Sequence, residues 1–237
     1  MKIYGRNAVT ELLKTDKNIE KIMLEKNPQG SLKCIFAEAR KQNIRIQFAD
    51  RIVLDKQCED GKHQGVIAFC ADYEYSSLED IVAAKGENGG FIVICDGIED
   101  VHNLGSVLRV AECAGCDGVI IPSNNGASVT EAVVRISAGA ANHIKVAKVV
   151  SVNRAIDELK KYGYWIYALE SDGTDIYEAD MTGNIAIVVG GEDSGVKRLT
   201  KEKCDFILSI PLKGKVNSLN ASVALGVAVY EAVRKRK

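Results

Sequence analysis

Acidic, amide and guanidinium side chains occur together in the stretch Asp96-Gly-Ile-Glu-Asp-Val-His-Asn-Leu-Gly-Ser-Val-Leu-Arg109. Asn103 is placed to cap a helix, and the apolar residues that follow at helical spacing predict a buried stripe. At about 100° per residue, Arg109 lies roughly opposite that stripe, beside Gly105 and Ser106, whose small side chains leave room for a ligand group to approach the guanidinium. A surface arginine and a simple helix cap, without any chemistry, fit the same pattern.

A second polar loop, residues 190–195, follows an apolar strand pattern and reads Gly-Gly-Glu-Asp-Ser-Gly. Its glycines allow a ligand close to the backbone, and N–H groups at a helix start can hold polar ligand atoms. Glu192 and Asp193 make it a poor phosphate site, and it matches neither G-x-G-x-x-G nor G-x-x-x-x-G-K-[ST]. The loop therefore gives no support to nicotinamide dinucleotides or ATP, and a tight turn between a strand and a helix explains it equally well.

The third stretch reads Ile210-Pro-Leu-Lys-Gly-Lys-Val-Asn-Ser-Leu-Asn-Ala-Ser222 and leads into an apolar helix. Ser218 and Asn220 could serve there only as helix caps. The order and spacing of the three stretches are therefore more informative than any one of them.

Alternating helical and strand patterns in residues 1–75 predict a small α/β module. The predicted helices are 7–14 and 31–42, and the predicted strands are 21–24, 44–48 and 65–69. Residues 72–90 are polar apart from a short helical piece near residues 78–84. The predicted division is a domain at 1–75, a linker at 76–90 and a domain at 91–237.

From Phe91 onward the alternation predicts a parallel sheet covered by helices on both faces. The predicted strands are 91–95, 118–121, 145–149, 164–169 and 185–189, and the predicted helices are 103–116, 130–138, 152–161 and 195–203. Ligands of such sheets lie beyond the carboxyl ends of the strands, here in the loops after Cys95, Val189 and Ile210. The last helix, 218–233, is apolar on nearly all sides, which predicts packing against the sheet on one side and another protomer on the other.

The net charge of −1 is unevenly distributed, because residues 76–196 carry −10 and residues 197–237 carry +7. An anionic partner would meet the C-terminal part, although a solvated basic tail, Arg234 to Lys237, explains the same distribution.

The sequence contains seven cysteines, mostly in apolar runs, which favours reduced core thiols. For Cys113 and Cys116, packing in the core is favoured over zinc or redox chemistry. The sequence has neither a membrane-length apolar stretch nor a signal-peptide pattern, so a cytoplasmic location is expected.

In this order, the three polar stretches resemble the three motifs of the SpoU (TrmH) branch of the SPOUT methyltransferases. The first resembles the family's acidic, Asn-x-Gly and Arg pattern, the second its Gly-x-Glu-x-x-Gly loop, and the third its Ile-Pro-x-x-Gly-x-x-x-Ser-Leu-Asn run. Residues 1–75, with Gly5-Arg-Asn-Ala-Val and a later His63-Gln-Gly-Val, resemble the L30e-like substrate-binding domain of some members. The first motif departs from the family at Val101, where Pro is common, and a less stiff extended loop is expected there.

The resemblance implies an α/β protein with a small L30e-like domain and a C-terminal parallel-sheet SPOUT domain that contains a deep trefoil knot. It implies a homodimeric enzyme, without a metal, that transfers a methyl group from S-adenosylmethionine to a ribose 2'-hydroxyl, and the nearest subgroup acts on guanosine in 23S rRNA. By the match, Gly190, Ile210 and Leu219 contact the methyl donor. The family's catalytic and RNA-contacting positions are occupied by Asn103, Arg109, Glu192, Ser218 and Asn220.

Three other functions remain open on the sequence. A tRNA could replace rRNA as the substrate of the same reaction. The chain could instead be a non-catalytic RNA-binding or ribosome-assembly factor, although the intact polar set argues against this. A nucleotide-dependent metabolic enzyme on a doubly wound sheet is disfavoured, because its phosphate-loop signature is absent from the sequence.

Overall fold

A computed structural model of the chain describes residues 1–15, 19–58, 61–192 and 195–236. The chain forms two compact units, one comprising Met1–Glu74 and Val129–His143 and the other comprising Tyr75–Ser128 and Ile144–Lys237. Asp193 and Ser194 of the second polar stretch, and Lys237 of the basic tail, lie outside the described residues.

The first unit contains a mixed four-stranded sheet in the order β1-β4-β2-β3. In it, β4 pairs antiparallel with both β1 and β2, whereas β3 pairs parallel with β2 and lies at the edge. The strands are β1 (Lys2–Tyr4), β2 (Ile19–Glu25), β3 (Ile46–Ala49) and β4 (Val66–Cys70), and the helices are α1 (Arg6–Leu12), α2 (Ser31–Lys41) and α3 (Arg51–Gln57). The sequence analysis did not predict β1, which has only three residues, or α3.

Hydrogen bonds in the first unit join two of its sequence motifs, Gly5-Arg-Asn and His63-Gln-Gly. The Arg6 backbone N–H donates to Gln64 Oε1 and its Nε donates to Gln64 O, both at 3.1 Å. His63 is fully buried, with Nε2 2.9 Å from Asp55 Oδ1 and Nδ1 accepting from the Gly65 N–H. These residues therefore fix a turn, which is a structural role.

The first unit also contains α6 (Glu131–Ile136) and a short 3-10 helix, Ala140–Asn142. The sequence alternation had grouped α6 with the parallel-sheet half. Instead it packs on β1, and the Arg135 guanidinium lies 4.5 Å from the centroid of the Tyr4 ring.

The second unit is built on a six-stranded sheet in the order β10-β8-β9-β5-β6-β7, in which every pairing is parallel. The predicted parallel sheet is therefore confirmed, although the edge strand β10 was not predicted. The strands are β5 (Phe91–Asp96), β6 (Gly118–Pro122), β7 (Lys145–Val149), β8 (Trp165–Asp175), β9 (Ile185–Gly190) and β10 (Phe206–Ser209). The helices are α4 (Leu78–Ala83), α5 (Val101–Cys113), α7 (Val152–Lys161), α8 (Arg198–Lys201) and α9 (Ala221–Lys235).

The central strands β5 and β9 are buried along their whole length, which explains their continuous apolar runs. Within the predicted linker, α4 begins with a capping box between Ser77 and Asp80 and places Leu78 and Ile81 in the core of the second unit. None of the helices in the described ranges has the length and hydropathy needed to cross a bilayer.

The last helix, α9, packs against α5 and β9 through residues such as Leu225 and Val229. Its opposite side is open in the single chain, because Val223 and Tyr230 are each 52% exposed. Of the two sides predicted to be covered, the one that faces the sheet is confirmed.

Candidate functional site

The first polar stretch forms the loop after β5 and the start of helix α5. The helix begins at Val101, and the Asp100 carboxylate caps it by accepting from the His102 N–H at 3.0 Å. The prediction that Asn103 caps this helix is therefore wrong, because the helix starts one turn earlier. Val101 occupies the first helical position, where Pro is also favoured, so the expected extended loop at this residue is wrong as well. Asn103 is buried in the first turn with its side chain free for another partner.

That partner is Asn220, which joins the three polar stretches. Its Nδ2 donates to Asn103 Oδ1 at 2.9 Å and to Glu192 Oε1 at 2.5 Å. Its Oδ1 accepts from the Ser222 N–H at 3.0 Å and thereby caps helix α9. A single amide thus uses both of its ends, one as a cap and the other as a bridge between two loops.

A cavity of about 320 Å³ opens beside this bridge. Its walls come from the carboxyl ends of β9 and β10, from the start of α9 and from the middle of β8, just beyond the residues of β8 that pair with β9. Five of the eight predicted site residues line it, namely Gly190, Glu192, Ile210, Ser218 and Leu219. The third stretch therefore contributes to a wall as well as to a helix cap.

Gly190 and Gly195 are glycines because the loop after β9 closes tightly on itself. A Cβ atom on Gly190 would lie 1.9 Å from the Gly195 carbonyl carbon, and the Gly195 N–H donates to Gly191 O at 2.9 Å. Gly195 has φ +61°, a conformation that favours glycine. The space left by the missing side chain of Gly190 is thus filled by protein backbone, while Gly190 also borders the cavity.

Two carboxylates that the sequence analysis did not select hold the end of this loop. Glu170 of β8 accepts from the Val196 N–H at 2.7 Å, pairs with Lys201 Nζ at 2.9 Å and lines the cavity. Asp96, buried at the end of β5, accepts from the Lys197 N–H at 3.0 Å and lies 3.4 Å from its Nζ. The sequence did contain a signal for Glu170, because this residue directly follows the apolar strand pattern 164–169. The same reasoning had selected the loops that follow the strand patterns ending at Cys95 and Val189.

Arg109 lies on α5, six residues after Asn103, and is exposed as its helical position predicts. It is not among the residues that line the cavity. No described residue forms a hydrogen bond or an ion pair with its guanidinium. The structure thus brings Asn103, Glu192, Ser218 and Asn220 to one place and leaves Arg109 free at the surface of the same helix.

Three cysteines of the second unit are not activated as nucleophiles. Burial raises the pKa of the Cys95 and Cys204 thiols to about 12, and burial also raises the pKa of the Cys116 thiol. In the part of the chain that the structure describes, no three His, Cys, Asp or Glu side chains are grouped to hold a metal ion.

Comparison with known protein families identifies both halves of the chain. Residues 90–230 match the SpoU rRNA Methylase family, and residues 2–76 match the domain described as RNA 2'-O ribose methyltransferase substrate binding. The chain belongs to the SpoU rRNA methylase family. The family predicted from the sequence, a family of RNA methyltransferases, is therefore confirmed.

Its bacterial relatives have almost the same length. A Bacillus subtilis protein assigned to the TrmH family of tRNA/rRNA methyltransferases is 42% identical over 239 residues, covering 99% of this chain and 95% of that protein. A Staphylococcus haemolyticus protein assigned to the same family is 41% identical over 240 residues, with coverage of 99% and 95%.

Solved structures share the fold along the whole chain. The SpoU methyltransferase AviRb from Streptomyces viridochromogenes, in complex with AdoMet, matches with a TM-score of 0.85 at 20% identity, covering 100% of this chain and 90% of that chain. An AdoMet-bound rRNA methyltransferase from Sinorhizobium meliloti matches with a TM-score of 0.82 at 21% identity, with coverage of 98% and 86%. At these identities the likeness establishes the α/β fold.

The two roles of Asn220 can be separated by substitution. Asn220→Ala removes both the cap and the bridge, whereas Asn220→Ser keeps a good capping group but cannot reach Asn103 and Glu192. We expect the alanine variant to lose about 1 kcal/mol more free energy of unfolding than the serine variant, measured by urea denaturation. We expect both variants to lose methyl transfer to a similar extent. A serine variant with wild-type turnover would show that the bridge does not matter for activity.

Proposed function

We propose that this SpoU-family protein transfers a methyl group from S-adenosylmethionine to the 2'-hydroxyl of a ribose in RNA, with a guanosine of 23S rRNA as the target. The observation that carries the proposal is the bridge from Asn220 to Asn103 and Glu192 beside a cavity. The name of the matched substrate-binding domain supports ribose as the acceptor. The names of the relatives support either rRNA or tRNA, so tRNA is the alternative substrate.

The cavity suits a methyl donor with both apolar and polar parts. Its volume of about 320 Å³ lies within the usual range of small-molecule sites. Apolar side chains such as Leu169 and Val189 line it together with polar groups such as Glu170 and Asn217. Gly190, Ile210 and Leu219 are the residues that we propose to contact S-adenosylmethionine. When bound, that group would supply an electrophilic methyl on a sulfonium sulfur, whose C–S bond would break on transfer, with the neutral thioether as the leaving group.

The chain's own residues would orient the ribose and stabilise charge on its oxygen. A ribose hydroxyl is a poor nucleophile, so it must be positioned while it forms the new O–C bond and loses its proton. We propose that Asn103, Glu192, Ser218 and Asn220 provide the positioning. A guanidinium has five N–H donors and no acceptor, so Arg109 cannot serve as the base and acts instead as an electrostatic clamp on the hydroxyl and the adjacent phosphate. The proton then passes to phosphate or water.

A labelled-methyl assay tests the proposed reaction. The protein and labelled S-adenosylmethionine are incubated with total RNA from a strain that lacks the gene, and the rRNA and tRNA fractions are then separated. We expect the label in 23S rRNA, at a position that resists alkaline cleavage because its 2'-oxygen is methylated. Label at an alkali-sensitive position would contradict ribose methylation, and label in tRNA would select the alternative substrate. RNA binding without any transfer would instead support a non-catalytic factor.

The clamp predicts that Arg109 cannot be replaced by lysine. Arg109→Lys keeps the charge but loses the planar fork that can contact two oxygens, so we expect a fall of about tenfold or more in kcat. The matched control is Arg154→Lys, which changes an exposed arginine on helix α7 and should leave kcat unchanged. Near-normal turnover by Arg109→Lys would count against the clamp.

We also propose the knot that the family resemblance implies. Two features support a crossing of the chain near the site. The loop after β9 packs backbone against backbone at Gly190 and Gly195, and the chain passes to β10, beyond β8, before α9 returns to pack on β9. We likewise propose the division of the chain into a substrate-binding domain at 1–75, a linker at 76–90 and a methyltransferase domain at 91–237.

We further propose that a second copy of the chain covers the open side of α9. Val223, Val227 and Tyr230 follow one another at helical spacing on that side, and no charged residue interrupts them between positions 223 and 230. An uncharged stripe suits a two-fold interface, because the same patch meets itself without like-charge repulsion. It does not suit an RNA backbone, which requires cations.

Disruption of this stripe should change the oligomeric state. Val223→Asp would place like charges against each other across a two-fold interface, so we expect a monomer by light scattering coupled to size-exclusion chromatography. The matched control is Val216→Asp, an exposed valine outside the helix, which should leave the dimer intact. A monomeric wild-type protein would refute the proposed dimer.

A further inference from the structure

Two phenylalanines on the first unit, an exposed Phe48 and a half-buried Phe36, form an aromatic pair that the proposed methyl-transfer chemistry does not use. The Phe36 and Phe48 ring centroids lie 5.7 Å apart at an interplanar angle of 42°. Phe48 lies on the edge strand β3 and is 46% exposed, and Phe36 lies on the adjacent helix α2. Because Phe48 is about half exposed, part of its ring is accessible to a further flat group.

Cations flank this pair. The Arg40 guanidinium lies 5.7 Å from the centroid of the Phe36 ring, one helical turn further along α2. Lys33 precedes Phe36 by about one turn, so Lys33, Phe36 and Arg40 lie on one side of the helix. Within the described ranges neither Lys33 nor Arg40 forms an ion pair, whereas nearby Lys26 is paired with Asp50 at 2.7 Å. Lys33 and Arg40 are therefore available to an anion.

A second exposed aromatic cluster, in the second unit, lacks this charge. The rings of Trp165 and Phe206 lie 5.8 Å apart, and the two side chains are 54% and 44% exposed. The neighbouring cation Lys160 is neutralised by Asp205 at 2.7 Å. The two clusters therefore differ, because Lys160 beside Trp165 and Phe206 is paired, whereas Lys33 and Arg40 beside Phe36 and Phe48 form no ion pair with a described residue.

We propose that Lys33, Phe36, Arg40 and Phe48 form an aromatic platform on which an unpaired base of the RNA substrate stacks. The inference rests on the proposed RNA methyltransferase function and assigns the first unit a way of holding its substrate. A base presents a flat π-face to the Phe48 ring, and the adjoining phosphates meet Lys33 and Arg40. Bases in a duplex are already stacked on their neighbours, so the platform selects single-stranded segments such as loops and bulges.

Binding of labelled RNA to the full-length protein tests the platform. The probes are fluorescein-labelled oligouridylate, oligoadenylate and the duplex of the two, and the readout is fluorescence anisotropy. We expect Phe48→Ala to raise the Kd for each single strand about tenfold and to leave the Kd for the duplex unchanged. Phe48→Leu keeps an apolar side chain without a π-face, so it should raise the Kd for the single strands to the same extent. It also keeps the experiment decisive if the alanine variant folds poorly. Trp165→Ala is the matched control and should bind like wild type.

Each contrary result overturns the platform. A wild-type protein that does not bind the single strands, a Phe48→Leu variant that binds them normally, or an equal loss for single strands and duplex would exclude base stacking at this position. So would an equal loss in Trp165→Ala.

Methyl transfer to total RNA separates this inference from the proposed function. Phe48→Leu should raise the KM for RNA and leave kcat unchanged, because the ring contributes only to RNA binding. If wild type shows no transfer but Phe48→Leu still loses single-strand binding, the platform stands and the proposed reaction fails. If transfer occurs and Phe48→Leu has wild-type KM and Kd, the reaction stands and the platform fails.

Discussion

The side-chain amide of Asn220 is the interaction on which the site depends. Its oxygen caps helix α9, while its nitrogen donates to Asn103 and Glu192. An amide suits this place because its nitrogen can donate twice while its oxygen accepts. A carboxylate has no donor, and a hydroxyl has only one. The helix start and the two loops are therefore positioned by one another, and the cavity beside them has a defined wall.

Two carboxylates give the neighbouring wall its shape. Asp96, at the end of β5, and Glu170, in the middle of β8, accept the N–H groups of Lys197 and Val196, so the end of the loop after β9 is held by two carboxylates. Because fixed acceptors already order this segment, less conformational entropy is lost when a ligand binds. The same geometry explains the glycines, because the loop approaches its own backbone too closely for a side chain at Gly190.

The uneven distribution of charged residues along the chain favours recognition of RNA by individual side chains. The net charge is only −1, and residues 76–196 are acidic. Since residues 197–237 carry +7, we propose that attraction to phosphate comes from this basic segment and from particular groups such as Arg109, Lys33 and Arg40, rather than from the net charge of the whole protein. Recognition through a few placed cations and aromatic faces suits an RNA whose loops differ in shape and base exposure.

The sequence by itself determined the family, the parallel sheet and the identity of the polar residues, because apolar periodicity and ordered motifs depend on local spacing. It missed the short strands β1 and β10 and the helix α3, and it wrongly made Asn103 a helix cap, since Asp100 competes for that role three residues earlier. Only the tertiary structure brought Asn220 to Asn103, 117 residues away, and Glu170 to Val196. Such pairings join separate strand ends and loops, and their geometry depends on how the whole sheet packs rather than on any local pattern.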